Sequence, residues 1–202
     1  CSRMSKGLSL QKGSLVAENG FPVMMPWEKP YMEHCINMLF PVGDVLEIGF
    51  GLGYSATQIQ NFPIRSHTII ECDNNVIVKV REWANKQPHP VNIVYGKWQE
   101  SMALLGRFDS VFFDDCFLTK QPYEHNMSSI KYFVERVNRL HRKELTKIGW
   151  YCESIPSKNL QNYFKEIGAT FELYNFKIPK PKNLEYAKKH GNVMFVPQVT
   201  LI

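Results

Sequence analysis

Three acidic residues, Glu47, Glu71 and Asp114, each stand at or near the end of a short apolar run in the sequence. Such runs have the length of buried strands, and in an open α/β sheet the ligand lies beyond the carboxyl ends of the strands. A carboxylate at that edge can accept hydrogen bonds from ribose hydroxyls or bind a cationic group. These acids are therefore the first candidates for ligand binding and catalysis.

A glycine-rich turn follows the first acid in the sequence VLEIGFGLG, residues 45–53. Three alternating glycines leave little beyond the backbone, so a ligand can approach the main chain closely. A helical pattern begins at Tyr54, and the N–H groups that open a helix can face a ligand. A strand, a glycine turn and a helix in this order predict a site for a nucleotide-like cofactor.

The acids around this turn indicate which cofactor fits. Glu71 lies 22 residues after Gly49, close to the spacing of about 20 residues expected for a ribose-binding acid. Glu47 would repel a pyrophosphate but suits a cation such as the sulfonium of S-adenosylmethionine. Trp98 follows the third predicted strand and could lie against the adenine with Gln99 at its edge; a tryptophan buried in the core is the alternative.

Strands and helices alternate along most of the chain, which implies a parallel, doubly wound α/β sheet. The last two strands have no helix between them and should pair antiparallel. The predicted strands span residues 44–48, 67–72, 91–95, 109–113, 150–152, 170–176 and 193–201. The predicted helices span residues 31–40, 54–61, 75–86, 128–141 and 160–167.

Length and composition limit the class of protein. The 202 residues fit one domain, with 44% apolar and 21% charged residues. A net charge of +5 does not require a nucleic-acid partner, and no apolar run approaches the roughly 18 residues of a membrane span. Five scattered cysteines, without zinc-type spacing, indicate free thiols, no metal site and a reducing, cytoplasmic location.

The expected organisation is one domain over residues 1–202. Residues 1–20 form an N-terminal arm, either frayed or ordered, and residues 21–40 form a segment and helix that cover the cofactor and substrate. Residues 41–202 form the Rossmann-like core. The chain starts with cysteine and shows no signal peptide, so we expect a processed product or a fragment of a longer protein.

Six stretches together resemble the guanidinoacetate N-methyltransferase family and the related catalytic domain of fungal arginine methyltransferases that modify the δ-nitrogen. The glycine turn alone would indicate only a class I methyltransferase, whereas the Trp-Glu-x-Pro-Tyr-Met segment is much narrower. The resemblance runs in order from about Phe21 to the C-terminus. The stretches are PVMMPWEKPYM (22–32), VLEIGFGLG (45–53), IIEC (69–72), GKW (96–98), FFDDCFL (112–118) and VPQVT (196–200).

The resemblance implies a seven-stranded, mostly parallel sheet with helices on both faces and a bound S-adenosylmethionine, which leaves as S-adenosylhomocysteine. It also implies that Glu28 and Asp114 hold the guanidino group. The residues expected around the cofactor are Met24, Met32, Glu47, Gly49, Phe50, Gly51, Leu52, Gly53, Tyr54, Ser55, Glu71, Cys72, Trp98, Gln99 and Asp114.

The two carboxylates suit this chemistry. A guanidinium stays protonated at physiological pH, so its nitrogen is a poor nucleophile. Two carboxylates can bind it in a fork, and one can accept a proton as the nitrogen attacks the methyl carbon. We assign the base to Asp114 and the orienting role to Glu28, although the roles could be exchanged. Asp115 should point away into solvent, as neighbours in an extended segment do.

Several positions depart from the pattern of the family. Asp115 stands where a small residue is usual, and Cys116-Phe117 replace Tyr-Pro. Residues 142–149 replace the usual turn before the fifth strand. Glu153 precedes Ser154 and Ile155, the expected substrate contacts, and would disfavour the carboxylate of guanidinoacetate. His125 is either structural or part of the site.

Three hypotheses remain open at this point. The first is methylation of a small guanidino compound such as guanidinoacetate, arginine or a relative. The second is methylation of arginine in a protein or peptide by a domain of a larger enzyme, for which the basic segment 177–191 is suitable. The third is a non-catalytic domain that binds S-adenosylmethionine or a partner, against which the presence of Glu28, Glu71 and Asp114 argues. The oligomeric state is not indicated.

Overall fold

The computed structural model describes residues 7–115, 122–178 and 192–202, with side chains for all of them except 122–128. The expectations for Cys116, Phe117, the side chain of His125 and most of the 177–191 segment lie outside the described part. The helices are α1 (Lys29–Leu39), α2 (Tyr54–Ile59), α3 (Asn74–Ala84), α4 (Trp98–Ser101), α5 (Pro122–Arg136) and α6 (Lys158–Glu166). The strands are β1 (Ser9–Gln11), β2 (Ser14–Val16), β3 (Pro22–Met24), β4 (Gly43–Ile48), β5 (Ile64–Glu71), β6 (Val91–Tyr95), β7 (Phe108–Phe113), β8 (Arg142–Trp150), β9 (Thr170–Lys177) and β10 (Val193–Leu201).

Within the described residues, seven strands form one sheet in the order β6-β5-β4-β7-β8-β10-β9. The strands from β6 to β8 in this order are parallel, and β10 pairs antiparallel with both β8 and β9. The predicted doubly wound sheet with an antiparallel C-terminal pair is confirmed.

Successive residues of the central strands enter opposite faces of this sheet, as the pleat of a strand requires. On β4, Val45 joins the cluster that contains buried residues of α1, α2 and α3, whereas Leu46 joins the cluster that contains Phe133 of α5 and Phe164 of α6. Helices therefore cover both faces, and the apolar residues of β4 are buried on both sides. This explains why residues 45–48 of the strand form an apolar run interrupted only by Glu47.

The fifth predicted strand was placed too late in the chain. Strand β8 begins at Arg142, so the interpretation of residues 142–149 as a turn is wrong. The charged residues at its start hid the strand, because Lys143 lies at the amino edge of the sheet. Its ammonium group is 2.7 Å from Asp44 and 2.6 Å from Asp109, which compensates its charge. Farther along β8, Thr146 and Ile148 are fully buried.

The N-terminal arm is ordered from residue 9 to residue 16. Strands β1 and β2 form a hairpin, and β3 extends it into a three-stranded antiparallel sheet. Lys12 and Gly13 both have positive φ, as a tight two-residue hairpin turn requires. Leu15 has no exposed surface and packs with Met24 in the core, so this small sheet is fixed to the main one. None of the described helices is long and apolar enough to cross a membrane.

Candidate functional site

The sheet order brings the three strand-end acids to one edge. Strand β4 lies between β5 and β7, so the glycine turn is flanked by Glu71 on one side and Asp114 on the other. The N–H of Gly49 donates to the carbonyl of Ile70 at 2.9 Å, and the N–H of Asp114 donates to the carbonyl of Ile48 at 2.9 Å. These backbone bonds fix the start of the turn between its two neighbours.

The first glycine of the turn allows this close approach. Gly49 has φ +81°, and a Cβ built on it would lie 2.2 Å from the carbonyl oxygen of Asp114. The third turn residue is constrained in the same way, because Gly51 has φ +55° and its Cβ would lie 2.7 Å from the Met24 methyl group. A side chain at Gly49 would displace the backbone of Asp114, whereas one at Gly51 would displace the end of the Met24 side chain.

Gly49→Ala should therefore destabilise the protein and weaken cofactor binding. The left-handed backbone alone costs an L-residue about 1–2 kcal/mol, and the clash with Asp114 adds to this. Because 1 kcal/mol changes Tm by about 2–4 °C in a chain of this size, we expect a loss of about 4 °C or more in thermal unfolding. Gly106→Ala is the matched control, since its Cβ meets nothing within 4 Å. Equal Tm values for the two variants would contradict the packing described.

Glu71 holds the turn against the end of β5. One carboxylate oxygen accepts the N–H of Phe50 at 3.0 Å, and the other accepts the N–H groups of Cys72 at 2.7 Å and Asp73 at 2.8 Å. Burial raises the pKa of Glu71, an effect that these three donors partly offset. A carboxylate has about four acceptor positions, so one remains for a further donor such as a hydroxyl group.

Glu47 makes its contacts within the protein. It is fully buried, and one oxygen accepts a hydrogen bond from the hydroxyl of Ser55 at 2.5 Å. The other oxygen lies 3.0 Å from a ring nitrogen of His67, which is also fully buried. Glu47 therefore contributes charge to the site, while its oxygens are engaged by neighbours on α2 and β5.

Glu28 comes from a different part of the chain, the short 3-10 turn Pro26–Glu28 that precedes α1. Only 4% of the residue is exposed. Its two oxygens accept hydrogen bonds from the N–H of Met25 at 2.6 Å and the hydroxyl of Tyr151 at 2.8 Å. These donors hold the carboxylate in one orientation, so its direction is set before any ligand arrives.

Asp114 is the electrostatic centre of the site. Burial raises its pKa well above the usual range, and the charges of Glu28, Glu47, Asp115 and Glu71 raise it further, in that order. The site therefore carries several carboxylates close enough to repel one another. Such an arrangement favours a cationic ligand, because a positive charge relieves this repulsion.

Two tyrosines lie near Glu28: Tyr54, which the sequence predicts as a cofactor contact, and Tyr151, which the sequence interpretation missed. Tyr151 follows the last residue of β8 and so lies at the same edge as the acids, where it binds Glu28. Burial and the charge of Glu28 raise the pKa of Tyr54, which places this ring in the same neighbourhood. Correct placement of β8 would have drawn attention to Tyr151, because it follows a strand end.

The Trp98 region differs from expectation. Trp98 is 4% exposed and packs edge-on against Phe113 and Phe133, so it lies in the core. Its indole N–H donates to Asp115 at 2.6 Å, and the prediction that Asp115 points into solvent is wrong. The indole supplies a donor that holds the half-buried Asp115 carboxylate against Trp98. Gln99 beside it is exposed.

The remaining predicted residues occupy different environments. Met32 lies on α1 and is fully buried in the hydrophobic core, whereas Cys72 is exposed. The carbonyl of Ser154 accepts a hydrogen bond from the Cys152 thiol at 2.9 Å. Ile155 has 57% of its surface exposed. In the part of the chain that is described, no three acidic, histidine or cysteine side chains converge to hold a metal ion.

A cavity of about 470 Å³ lies away from the acidic edge, at the amino end of the strands. Arg107, Arg139, Arg142 and Lys143 line it, with Glu144 as the acidic residue among them. A basic lining suits anions, in contrast to the carboxylates that surround the glycine turn. The acidic edge at Asp114 is therefore the candidate site for a cationic ligand.

The fold and the glycine turn at the strand edge define the class I methyltransferase architecture. The precorrin-6y C5,15-methyltransferase of Geobacter metallireducens GS-15 superposes with a TM-score of 0.61 at 13% identity, covering 96% of this chain and 93% of that one. An O-methyltransferase of Bacillus cereus, solved in complex with SAH, superposes with a TM-score of 0.56 at 12% identity, over 87% and 81% of the two chains. At these identities the likeness shows the fold.

The guanidinoacetate N-methyltransferase family matches residues 13–186, and the chain belongs to this family. The chain is also similar to protein arginine N-methyltransferase 2 of Candida glabrata, with 36% identity over 139 residues, or 65% of this chain and 34% of the relative. The enzyme of the same name from Saccharomyces cerevisiae is 33% identical over 109 residues, 51% of this chain and 26% of the relative. These matches span about a third or less of those relatives. The predicted family is confirmed.

Proposed function

We propose that this chain transfers a methyl group from S-adenosylmethionine to a guanidino nitrogen, with Glu28 and Asp114 as the carboxylates that hold the guanidinium. One observation carries the proposal: the sheet order places Glu71 and Asp114 on either side of the glycine turn, and Glu28 lies close enough to Asp114 for its charge to raise the pKa of Asp114. Membership of a guanidino methyltransferase family supports it independently. A planar, permanently charged guanidinium matches two carboxylates better than other cations do.

The glycine turn and its neighbours fit the cofactor. Gly49 and Gly51 let the turn pack closely against Asp114 and Met24, and Glu71 keeps one acceptor position for a ribose hydroxyl. The charges of Glu47 and Asp114 suit a sulfonium better than a phosphate. When bound, S-adenosylmethionine supplies the activated methyl group. We propose the other turn residues, Phe50 to Ser55, together with Met24 and Cys72, as its surroundings.

Glu28 and Asp114 have different roles in this proposal. Glu28, fixed by Met25 and Tyr151, orients the guanidinium and helps to hold the attacking nitrogen in line with the methyl carbon. Asp114 accepts the proton that the nitrogen loses on methylation. Its raised pKa makes it a stronger base than an ordinary aspartate, which suits a group that must take a proton from a guanidinium.

Two carriers of the guanidino group are candidates. The first is a small molecule such as guanidinoacetate, free arginine or a relative. The second is an arginine in a protein or peptide, and the relatives named protein arginine N-methyltransferase 2 favour it. Ile155 is exposed at the end of β8, where we propose that Ser154 and Ile155 contact the part of the substrate beyond the guanidino group.

A transfer assay with methyl-labelled S-adenosylmethionine tests this proposal. Guanidinoacetate, arginine and an arginine-containing peptide serve as acceptors, and the matching lysine peptide is the control. We expect label in at least one guanidino compound and none in the lysine peptide. Binding of S-adenosylhomocysteine without transfer to any guanidino acceptor would overturn the proposed activity.

The raised pKa of Asp114 also predicts how stability depends on pH. The folded protein keeps this proton to higher pH than the unfolded chain, whose aspartates titrate near about 3.9. The contribution of Asp114 to stability is therefore present below that value and is lost as pH rises through the raised pKa. Asp114→Asn should remove this loss, so the ligand-free variant should have a higher Tm than wild type at neutral pH and a smaller difference at pH 4. A variant less stable than wild type at neutral pH would contradict the stated charge repulsion.

A further inference from the structure

A chain of buried polar side chains lies beneath the glycine turn and takes no part in the proposed chemistry. Glu47 precedes the turn, and Ser55 lies in the first turn of α2 that follows it; the hydrogen bond between them joins the two ends of the turn. The second oxygen of Glu47 faces Nε2 of His67 at 3.0 Å. Within the described residues neither of these two facing atoms makes a hydrogen bond, so their contact is close in distance but not aligned as a hydrogen bond.

The neighbours of His67 determine which ring nitrogen carries the proton. The side-chain carbonyl of Gln60 accepts the backbone N–H of His89 at 3.0 Å, so its amide group must turn the other way. That NH₂ lies 3.3 Å from Nδ1 of His67, to which it donates. Since Nδ1 accepts, the neutral ring carries its proton on Nε2, the nitrogen that lies 3.0 Å from Glu47.

We propose that His67 and Gln60 are positioning residues for the cofactor site, acting through Glu47. His67 holds the Glu47 carboxylate, which in turn holds Ser55, so the turn between them is fixed to β5. The same strand ends in Glu71, which binds the N–H of Phe50 within the turn. Two sets of contacts therefore hold the turn to β5. The first runs from His67 through Glu47 to Ser55, and the second is the hydrogen bond between Glu71 and Phe50. This inference rests on the proposed function, because the site that is positioned is the S-adenosylmethionine site.

The burial of these groups makes the arrangement demanding. Glu47 and His67 have 0% exposure, and Ser55 and Gln60 have 1% and 3%. Without His67 only the Ser55 hydroxyl would donate to Glu47, and a buried carboxylate oxygen without a donor carries a desolvation cost that favours movement of Glu47 and of the backbone next to Gly49. Loss of the His67 donor should therefore displace the turn and weaken cofactor binding, although His67 contacts none of the groups in the proposed reaction.

Calorimetric binding of S-adenosylhomocysteine to the full chain tests the inference without needing a methyl acceptor. We expect His67→Phe to weaken binding by about 10- to 100-fold, as for a lost hydrogen bond to a buried charge. His67→Gln should restore most of the affinity, because its amide can donate to Glu47 from a similar position. Phe164→Leu, in the core on the other face of the sheet, should lower Tm and leave the affinity unchanged.

A second measurement keeps the inference testable if His67→Phe does not fold. Nitrogen-15 spectroscopy of the histidine rings in the wild type, with His67 assigned by its absence in His67→Gln, should show Nε2 protonated and Nδ1 bare. The opposite tautomer, or unchanged affinity in a folded His67→Phe, would overturn the positioning role. A wild type that binds S-adenosylhomocysteine but methylates no guanidine would count against the proposed function alone.

Discussion

Asp114→Asn is expected to lower kcat for methyl transfer by about 10²- to 10⁴-fold, the usual contribution of a general base. The amide keeps the shape of the side chain and can still accept a hydrogen bond, but it cannot take the proton from the attacking nitrogen. The affinity for S-adenosylhomocysteine should change by no more than about threefold, because the residue acts mainly on the acceptor. Single-turnover rates and calorimetry on the same preparation separate the two effects.

Asp115→Asn is the matched control for this variant. The change is the same and the position adjacent, and the amide oxygen can still accept the hydrogen bond from Trp98. We expect kcat within about fivefold of wild type, in line with a residue outside the chemical step. If Asp115→Asn lost as much activity as Asp114→Asn, or if Asp114→Asn stayed near the wild-type rate, the assignment of the base would be wrong.

Glu28→Gln should lower kcat/KM for the guanidino substrate by about 10²- to 10³-fold. The substitution removes a buried charge that faces the guanidinium, and such losses typically cost 2–5 kcal/mol. The amide oxygen can still accept from Met25, but the amide NH₂ then faces Tyr151, whose hydroxyl must turn from donor to acceptor. Steady-state kinetics with S-adenosylmethionine at saturation measures the effect, which should include a higher KM for the acceptor.

Two further variants show whether the charge or its orientation matters. Tyr151→Phe keeps the Glu28 charge and removes one donor, so a smaller loss of about tenfold is expected. Glu33→Gln removes a carboxylate from α1, the helix that follows Glu28, but Glu33 pairs with Lys29 at the surface and should leave kcat/KM unchanged. Normal kinetics in Glu28→Gln would exclude Glu28 from the site.

The cluster of carboxylates at the site lowers the stability of the folded protein. The proposed function explains why the protein keeps this cluster. Glu71 and Asp114 flank the glycine turn although burial and neighbouring charges disfavour their charged forms. Proteins commonly keep such destabilising groups only where activity needs them. The gain in Tm expected for Asp114→Asn and its loss of activity are therefore two sides of the same electrostatic arrangement.

The sequence was sufficient for the parts of the fold that depend on local pattern. Apolar runs such as residues 45–48 marked the parallel strands, and the acids after them marked the edge where Glu71 and Asp114 meet. The glycine turn was recognisable because positive φ at Gly49 and Gly51 admits few other residues. These features can be recognised from residues that are close together in the sequence.

The features that depend on distant residues were not predictable. Strand β8 begins with charged residues whose compensation comes from Asp44 and Asp109 on other strands. The contact between Glu28 and Tyr151 joins positions 123 residues apart, and no local pattern announces it. Asp115 was expected in solvent because its partner, Trp98, becomes a neighbour only in the folded chain.

Tandem mass spectrometry of the product tests the central claim most directly. Wild type, Asp114→Asn and Asp115→Asn are incubated with labelled S-adenosylmethionine and the best guanidino acceptor, and fragmentation locates the methyl group. The predicted result is a methyl group on a guanidino nitrogen with wild type and Asp115→Asn, and almost none with Asp114→Asn. A methyl group on any other atom, or equal product from Asp114→Asn, would contradict methylation of a guanidinium held by Glu28 and Asp114.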